Sequence, residues 1–234
     1  MKIIVIALLC SFVSHSQQKY ETSTKLLKHQ NLQLNLRFAE NINIKQWDKN
    51  EVKLTAIGEV DGGRGNQYFN FIVKNNKKEL IVFSDFKDYF KNKTWRDLKD
   101  HNIHTTLKYI IYVPYGVSLK IKSITSDLVV EAFKGNLTAD LQAGNINIGR
   151  YNGVLNLKTV SGDLDVTIEK AVIEAFSRQG TIYTNTNIEI EKSENKKLFK
   201  QGHFKNIIKG NINNGIDKVN LETHLGNIYL RKKE

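Results

Sequence analysis

Apolar and polar residues alternate along most of this chain, and from Leu119 to Thr184 they do so in a repeating unit. LKIKSITSDLVV, LTADLQAGNINI, LNLKTVSGDLDV and IEAFSRQGTIYT begin at Leu119, Leu137, Leu155 and Ile173, eighteen residues apart each time. A fifth copy, VNLETHLGNIYL, begins at Val219. A period of two places every second side chain on one face of a strand, so each copy predicts two short, half-buried strands joined by a turn. Aligned, the copies give inward columns: Leu119, Leu137, Leu155, Ile173 and Val219 in the first strand, and Leu128, Ile146, Leu164, Ile182 and Ile228 in the second. Between them lies a turn column of Ser126, Gly144, Gly162, Gly180 and Gly226, where glycine permits a sharp bend at φ > 0. A weaker turn, nine residues away, holds Gly135, Gly153 and Ala171.

A unit this short cannot bury its own apolar face, but stacked copies can, with equivalent residues about 4.8 Å apart. The expected fold is all-β: a single-stranded β-helix or β-solenoid with eighteen-residue coils. The alternative is an antiparallel β-sandwich built from regular hairpins. Residues 114–234 form the repeat region, interrupted by a basic insert at 191–209, and residues 17–113 form an N-terminal β region that caps or continues the stack.

That N-terminal region carries the same rhythm. NLQLNLRF, NINIKQW and EVKLTAI alternate strictly, FNFIVK and ELIVFS flank a hairpin turn at Asn75 to Lys78, and DGGRGN is a turn cluster. Gln17 to Gln30 reads as a polar lead-in. Ser84 to His104 breaks the alternation, while TLKYIIYVP resumes it up to Pro114.

Composition alters the picture at the N-terminus and in the charge. Lys2 followed by the apolar run Ile3–Val13, with Ser14 and Ser16 at the small-residue positions, resembles a secretory signal peptide over residues 1–16. About 11 apolar residues are too few for a bilayer core, which needs roughly 20. The expectation is therefore an exported protein, periplasmic, outer-surface or extracellular, without a transmembrane segment after cleavage. Cys10 is the single cysteine and falls within that segment, so burial and strand pairing must hold the mature fold. The formal net charge of +11 favours anionic partners or simply keeps exposed strands soluble. Nucleic acid is not expected, because charge alone supports it and the export signal opposes it.

Candidate chemistry is sparse. The column after the turn, Asp127, Asn145, Asp163, Thr181 and Asn227, offers either stacked carboxylates or short polar side chains that cap backbone N–H groups, and the mixture of types favours capping. His101 and His104 stand near Asp97 and Asp100 but lack an evident third ligand. No phosphate-binding glycine loop or activated nucleophile is recognisable. The expectation is no catalytic residue, no metal and no cofactor. Two stretches off the repeat are candidate partner surfaces. Phe86, Tyr89, Phe90 and Trp95 lie among charged residues, where they either bind a partner or pin a loop to the core, and Lys196, Lys197 and Lys200 lie in the basic insert.

Tyr112, Val113, Pro114 and Gly116, followed by Ser161, Gly162, Asp163, Leu164 and Val166, resemble the Y-x-V-P-x-G lead and S-G-D-I-x-V repeat of the bacterial putative-adhesin domain family of unknown function, over roughly Thr106 to Leu230. The resemblance implies a β-solenoid in the cell envelope. The expected function is an exported structural or binding protein, adhesin-like and without catalysis, with an anionic glycan or an envelope protein as partner. A carbohydrate-active β-helix enzyme and an accessory protein of an envelope stress-sensing system are the alternatives.

Overall fold

The computed structural model describes residues 18–91, 105–190 and 206–233. The segments expected to hold the signal peptide, Trp95, the HNIH histidines and Lys196, Lys197 and Lys200 lie outside the described residues.

Alternation becomes strand wherever the sequence shows it. The N-terminal half supplies β1 (Gln18–Lys25), β2 (Asn31–Leu36), β3 (Ala39–Trp47), β4 (Glu51–Gly58), β5 (Asn70–Asn75), β6 (Glu79–Asp85) and β7 (Leu107–Pro114). The repeats supply β8 (Ser118–Thr125), β9 (Asp127–Lys134), β10 (Asn136–Ala143), β11 (Ile146–Asn152), β12 (Leu155–Ser161), β13 (Leu164–Ile168), β14 (Ala171–Ser177) and β15 (Ile182–Thr184). After them come β16 (Glu189–Ile190), β17 (Asn206–Ile212), β18 (Lys218–Thr223) and β19 (Ile228–Lys232). Two expectations are corrected at this level. The polar lead-in is a strand, β1, which pairs antiparallel with β4, and the end of the basic insert is a strand, β17, which pairs antiparallel with β14.

The strands form two large mixed sheets. One has nine strands in the order β1-β4-β7-β3-β9-β11-β13-β19-β15, and the other has ten in the order β16-β17-β14-β18-β12-β10-β8-β2-β6-β5. The predicted single-stranded β-helix is thus not the fold. Each copy contributes one strand to each sheet, so the copies bury their apolar columns by facing the other sheet, not by closing a coil. The architecture is sandwich-like, as in the alternative, but its centre is parallel and only its edges are antiparallel. Leu137 pairs in parallel register with both Leu119 and Leu155, and Ile146 with both Leu128 and Leu164.

Nor does the stacking order follow the chain. The fifth copy enters between the third and fourth: Val219 pairs with Leu155 on one side and Ile173 on the other, and Ile228 sits between Leu164 and Ile182. A similar insertion occurs at the other end, where Leu32 lies between Leu80 and Leu119 and Ile42 between Tyr109 and Leu128. The antiparallel strands β1, β4 and β5 at one end, and β16 and β17 at the other, extend the sheets beyond the ladders.

The inward columns form one hydrophobic core, including Leu34, Leu54, Leu80, Ile121, Leu137 and Leu164, each with no solvent exposure. A fully buried side chain of this size contributes about 1.5–3 kcal/mol relative to exposure, so the stacked inward columns are the main source of favourable burial energy. Polar bonds hold the turns in register. Thr159 Oγ1 donates to the Gly144 carbonyl at 3.0 Å, Thr223 Oγ1 to that of Gly162 at 2.9 Å and Ser177 Oγ to that of Gly226 at 2.8 Å.

Candidate functional site

The column after the turn is structural. Asp127 Oδ1 accepts from the Asn145 backbone N–H at 2.8 Å, Asn145 Oδ1 from Asp163 at 2.8 Å, Asp163 Oδ1 from Asn227 at 2.7 Å, and Asn227 Oδ1 from Thr181 at 2.9 Å. Each side chain caps the amide of the next rung, as the mixture of Asp, Asn and Thr predicts. Among the described residues no group of three or more His, Cys, Asp or Glu side chains is arranged to hold a metal ion.

The aromatic segment divides. Phe86 is buried, packed edge-on against Phe69 at 5.1 Å and Phe38 at 5.4 Å. Phe90 and Tyr89 are half-buried against the same cluster, with Phe90 4.6 Å from Phe38 and Tyr89 stacked on Tyr68 at 5.0 Å. The Tyr89 hydroxyl bonds to the buried carboxylate of Asp61, which also holds Arg64 at 2.8 Å. Of the two roles open to these aromatics, the one visible is to pin the segment onto the end of the core.

A different surface presents chemistry to solvent. On the outer face of the ten-stranded sheet, between the β5–β6 hairpin and strands β2, β8 and β10, lies a shallow depression of about 790 Å³. Its floor is set by strand register. Ile72 pairs with Phe83, Phe83 with Asn35, Asn35 with Lys122 and Lys122 with Asp140, so these outward side chains form one row. Ile72 is exposed and Phe83 half-buried, and Lys74 Nζ stands over the Phe83 ring, 5.3 Å from its centroid. Gln33 donates to Asn35 at 3.0 Å beside them. Arg37, anchored by its backbone N–H to Ser84 Oγ at 2.7 Å, closes one side.

Three cations, Arg37, Lys74 and Lys122, and two carboxylates, Asp85 and Asp140, line this depression. Among the described residues no carboxylate lies within ion-pairing distance of any of those three cations. Further along the same row Lys158 and Glu222 are paired at 2.9 Å. The surface therefore offers uncommitted positive charge, amides and an apolar strip together. None of its residues stood out in sequence, because they are spread over several strands and the turn after β2. The available signal was the apolar residue at outward positions of ELIVFS, where neighbouring strands carry polar ones.

Among the described residues the displaced carboxylate pKa values all move one way. Glu21, Glu169 and Glu222 are each held below the ordinary range, chiefly by hydrogen bonds from Lys19, Lys233 and Lys158 respectively. These groups stay ionised as partners of lysine, unlike a general acid, which needs a raised pKa.

No family model matches the sequence, and no curated protein matches it. Among solved structures the chain is similar to a protein from Clostridium sporogenes described as a putative cell adhesion protein. The two share 14% identity over 93% of this chain and 100% of the other, with a TM-score of 0.56. It also aligns, at 14% identity over 93% of this chain and 98% of the other and with a TM-score of 0.28, to a protein from Bacteroides fragilis described as a putative adhesin. The first likeness establishes the fold: a two-sheet β sandwich shared over nearly the whole length. Among the described residues no helix is long and apolar enough to cross a membrane.

Proposed function

We propose that this is an exported, non-catalytic binding protein of the cell envelope, and that the depression on the ten-stranded sheet holds an acidic glycan. The observation that carries the reading is the pairing of uncommitted Arg37 and Lys122 with the apolar strip of Ile72 and Phe83. Sugar carboxylates meet the cations, ring C–H faces meet Ile72 and Phe83, and hydroxyls meet Gln33, Asn35 and Gln142. The net charge of +11 adds long-range attraction for an anionic polymer. The fold shared with the Clostridium sporogenes protein described as a putative cell adhesion protein and the signal-like N-terminus agree with an adhesin-like role outside the cytoplasm.

Calorimetric titration with uronic-acid oligosaccharides and their neutral counterparts, at two salt concentrations, tests this. The expected result is preference for the acidic series, weakening with salt, and at least tenfold weaker binding by Arg37→Glu/Lys122→Glu. Equal binding of both series, or an unchanged Kd in the double variant, overturns the reading.

A further inference from the structure

The turns opposite the glycine column form the other long edge of the sandwich. There the ladder register aligns Val117, Gly135, Gly153 and Asp217. The backbone agrees: Gly116 N–H donates to Lys134 O at 2.8 Å, Gly135 N–H to Asn152 O at 2.9 Å, and Gly153 N–H to Asp217 Oδ2 at 3.3 Å. Three apolar side chains protrude along this line. Leu27 is 48% exposed, Tyr115 59% and Ile216 85%. Leu27 and Tyr115 flank one concavity of about 570 Å³ together with Lys25 and Lys28. Lys134, the last residue of β9, lies on the rung between those of Tyr115 and Ile216, and Lys218 follows Asp217. Among the described residues no carboxylate lies within ion-pairing distance of Lys25, Lys28, Lys134 or Lys218. Asp217, the nearest acid in the row, is turned to the Gly153 amide.

We infer that this edge seats the protein on an anionic lipid bilayer. From the β2 rung to the β18 rung is four strand spacings, about 19 Å. Leu27 and Tyr115 stand on neighbouring rungs around one concavity and Ile216 three rungs beyond Tyr115, a spread along one line that a headgroup layer meets at every point. Tyrosine suits that layer, with an apolar ring and a polar tip. Lysine stems lie along apolar surface while their ammonium groups reach lipid phosphate.

The test is partitioning of the full chain onto vesicles, measured by lipid titration on phosphatidylcholine alone and on phosphatidylcholine with 40% phosphatidylglycerol, at low and high salt. Uptake driven by the apolar stretch Ile3–Val13 is common to both vesicle types, so the difference between them reports charge attraction, which the variants assign to the edge. Juxtamembrane lysines contribute a factor of about five each. Lys28→Gln/Lys134→Gln is thus expected to lower the anionic preference roughly 25-fold, and Tyr115→Ser/Ile216→Ser to weaken binding to the anionic vesicles at both salt concentrations. Arg37→Glu/Lys122→Glu, on the glycan-binding face, is expected to retain most of it. Equal partitioning onto the two vesicle types, an unchanged preference in the lysine variant, or unchanged binding in the apolar variant overturns the inference. None of these outcomes bears on glycan binding.

Discussion

The backbone N–H of Asn227 donates to Asp163 Oδ1 at 2.7 Å, across 64 positions of sequence, and the Asn227 side chain in turn accepts from Thr181 at 2.9 Å. Asn227 therefore stands between two residues that successive repeats would have made neighbours. The last copy of the repeat has displaced the fourth from the third and taken its place in both sheets. One physical cause is visible in the edge pairing. Strand β17 pairs antiparallel with β14, which leaves the other side of β14 open to β18.

This order can be checked by cross-linking. Asn220 Nδ2 donates to Asn156 Oδ1 at 2.7 Å on the outer face of adjacent parallel strands. In a Cys10→Ser background, Asn156→Cys/Asn220→Cys is expected to form a disulfide on oxidation. Asn156→Cys/Glu174→Cys, two rungs apart at about 9.6 Å, is not, because disulfides need Cα atoms within about 7 Å. Stacking in chain order would give the reverse, and peptide mapping distinguishes the two.

The inward columns were legible because a period of two and a spacing of eighteen leave little freedom over which residues are buried. The order of the rungs was not. Val219 fits beside Leu155 and Ile173 equally well, since every copy presents the same column, and only the strand pairing of β17 breaks the tie. The two-sheet arrangement was hidden for a related reason. Alternation on both sides of a turn states that two strands each have one buried face, without stating whether those faces meet across a coil or across a sandwich. The depression was hidden too, because Ile72, Phe83 and Lys122 come from three strands and Arg37 from the turn after β2, and they become neighbours only when β6 docks outside β2.

Three glycines separate the two reasons for glycine at a turn. Gly62 has φ +60° with open space around it, so Gly62→Ala is expected to cost only the backbone term, about 1–2 kcal/mol. At Gly226 a Cβ would run into the Gly162 carbonyl oxygen, with no positive φ. Gly162 combines φ +153° with a Cβ that would meet the Gly144 carbonyl. Gly226→Ala and Gly162→Ala are expected to cost more, about 2–4 kcal/mol, because rung spacing cannot widen at one turn without parting the ladder. Denaturant unfolding of the three variants gives the ranking. A Gly62→Ala cost equal to that of Gly226→Ala would show that close approach contributes nothing.

The buried hydroxyl column should split in sign. Thr159 donates to the Gly144 carbonyl at 3.0 Å, and Thr159→Val strips that carbonyl of a partner at constant shape, which is expected to cost about 1–3 kcal/mol. Ser123 occupies the equivalent position two copies earlier, with Leu141 on the rung between, is 6% exposed, and has no partner for its hydroxyl among the described residues. It faces the rung built from β2 and β3, whose turn runs through Phe38 at φ +52° in place of a glycine. Ser123→Ala is therefore expected to be neutral or stabilising by up to about 1 kcal/mol. Thermal unfolding of the two single variants checks this, and destabilisation by Ser123→Ala would mean that its hydroxyl is bonded in solution.

Acid sensitivity should have a traceable component at Glu222. Its carboxylate accepts from Lys158 Nζ at 2.9 Å and lies 3.2 Å from His224 Nε2. The Lys158 hydrogen bond is the main cause of its lowered pKa, with partial desolvation working against it. A pKa lowered by folding contributes stability that is present above the unfolded value, about 4.3, and lost as pH falls through the native one. The Lys158 pKa is raised by the same bond, so its share disappears only in alkali, as pH rises through its native value. Both side chains are more than one-third exposed, and solvent screening limits the pair to about 0.5 kcal/mol. Glu222→Gln is accordingly expected to be less stable than the parent by about that amount at pH 7 and low salt. The gap should close between about pH 5 and pH 3 and shrink in 1 M salt. Urea unfolding across that range measures it, and a gap that widened in acid would mean that Glu222 stabilises the fold in its protonated form.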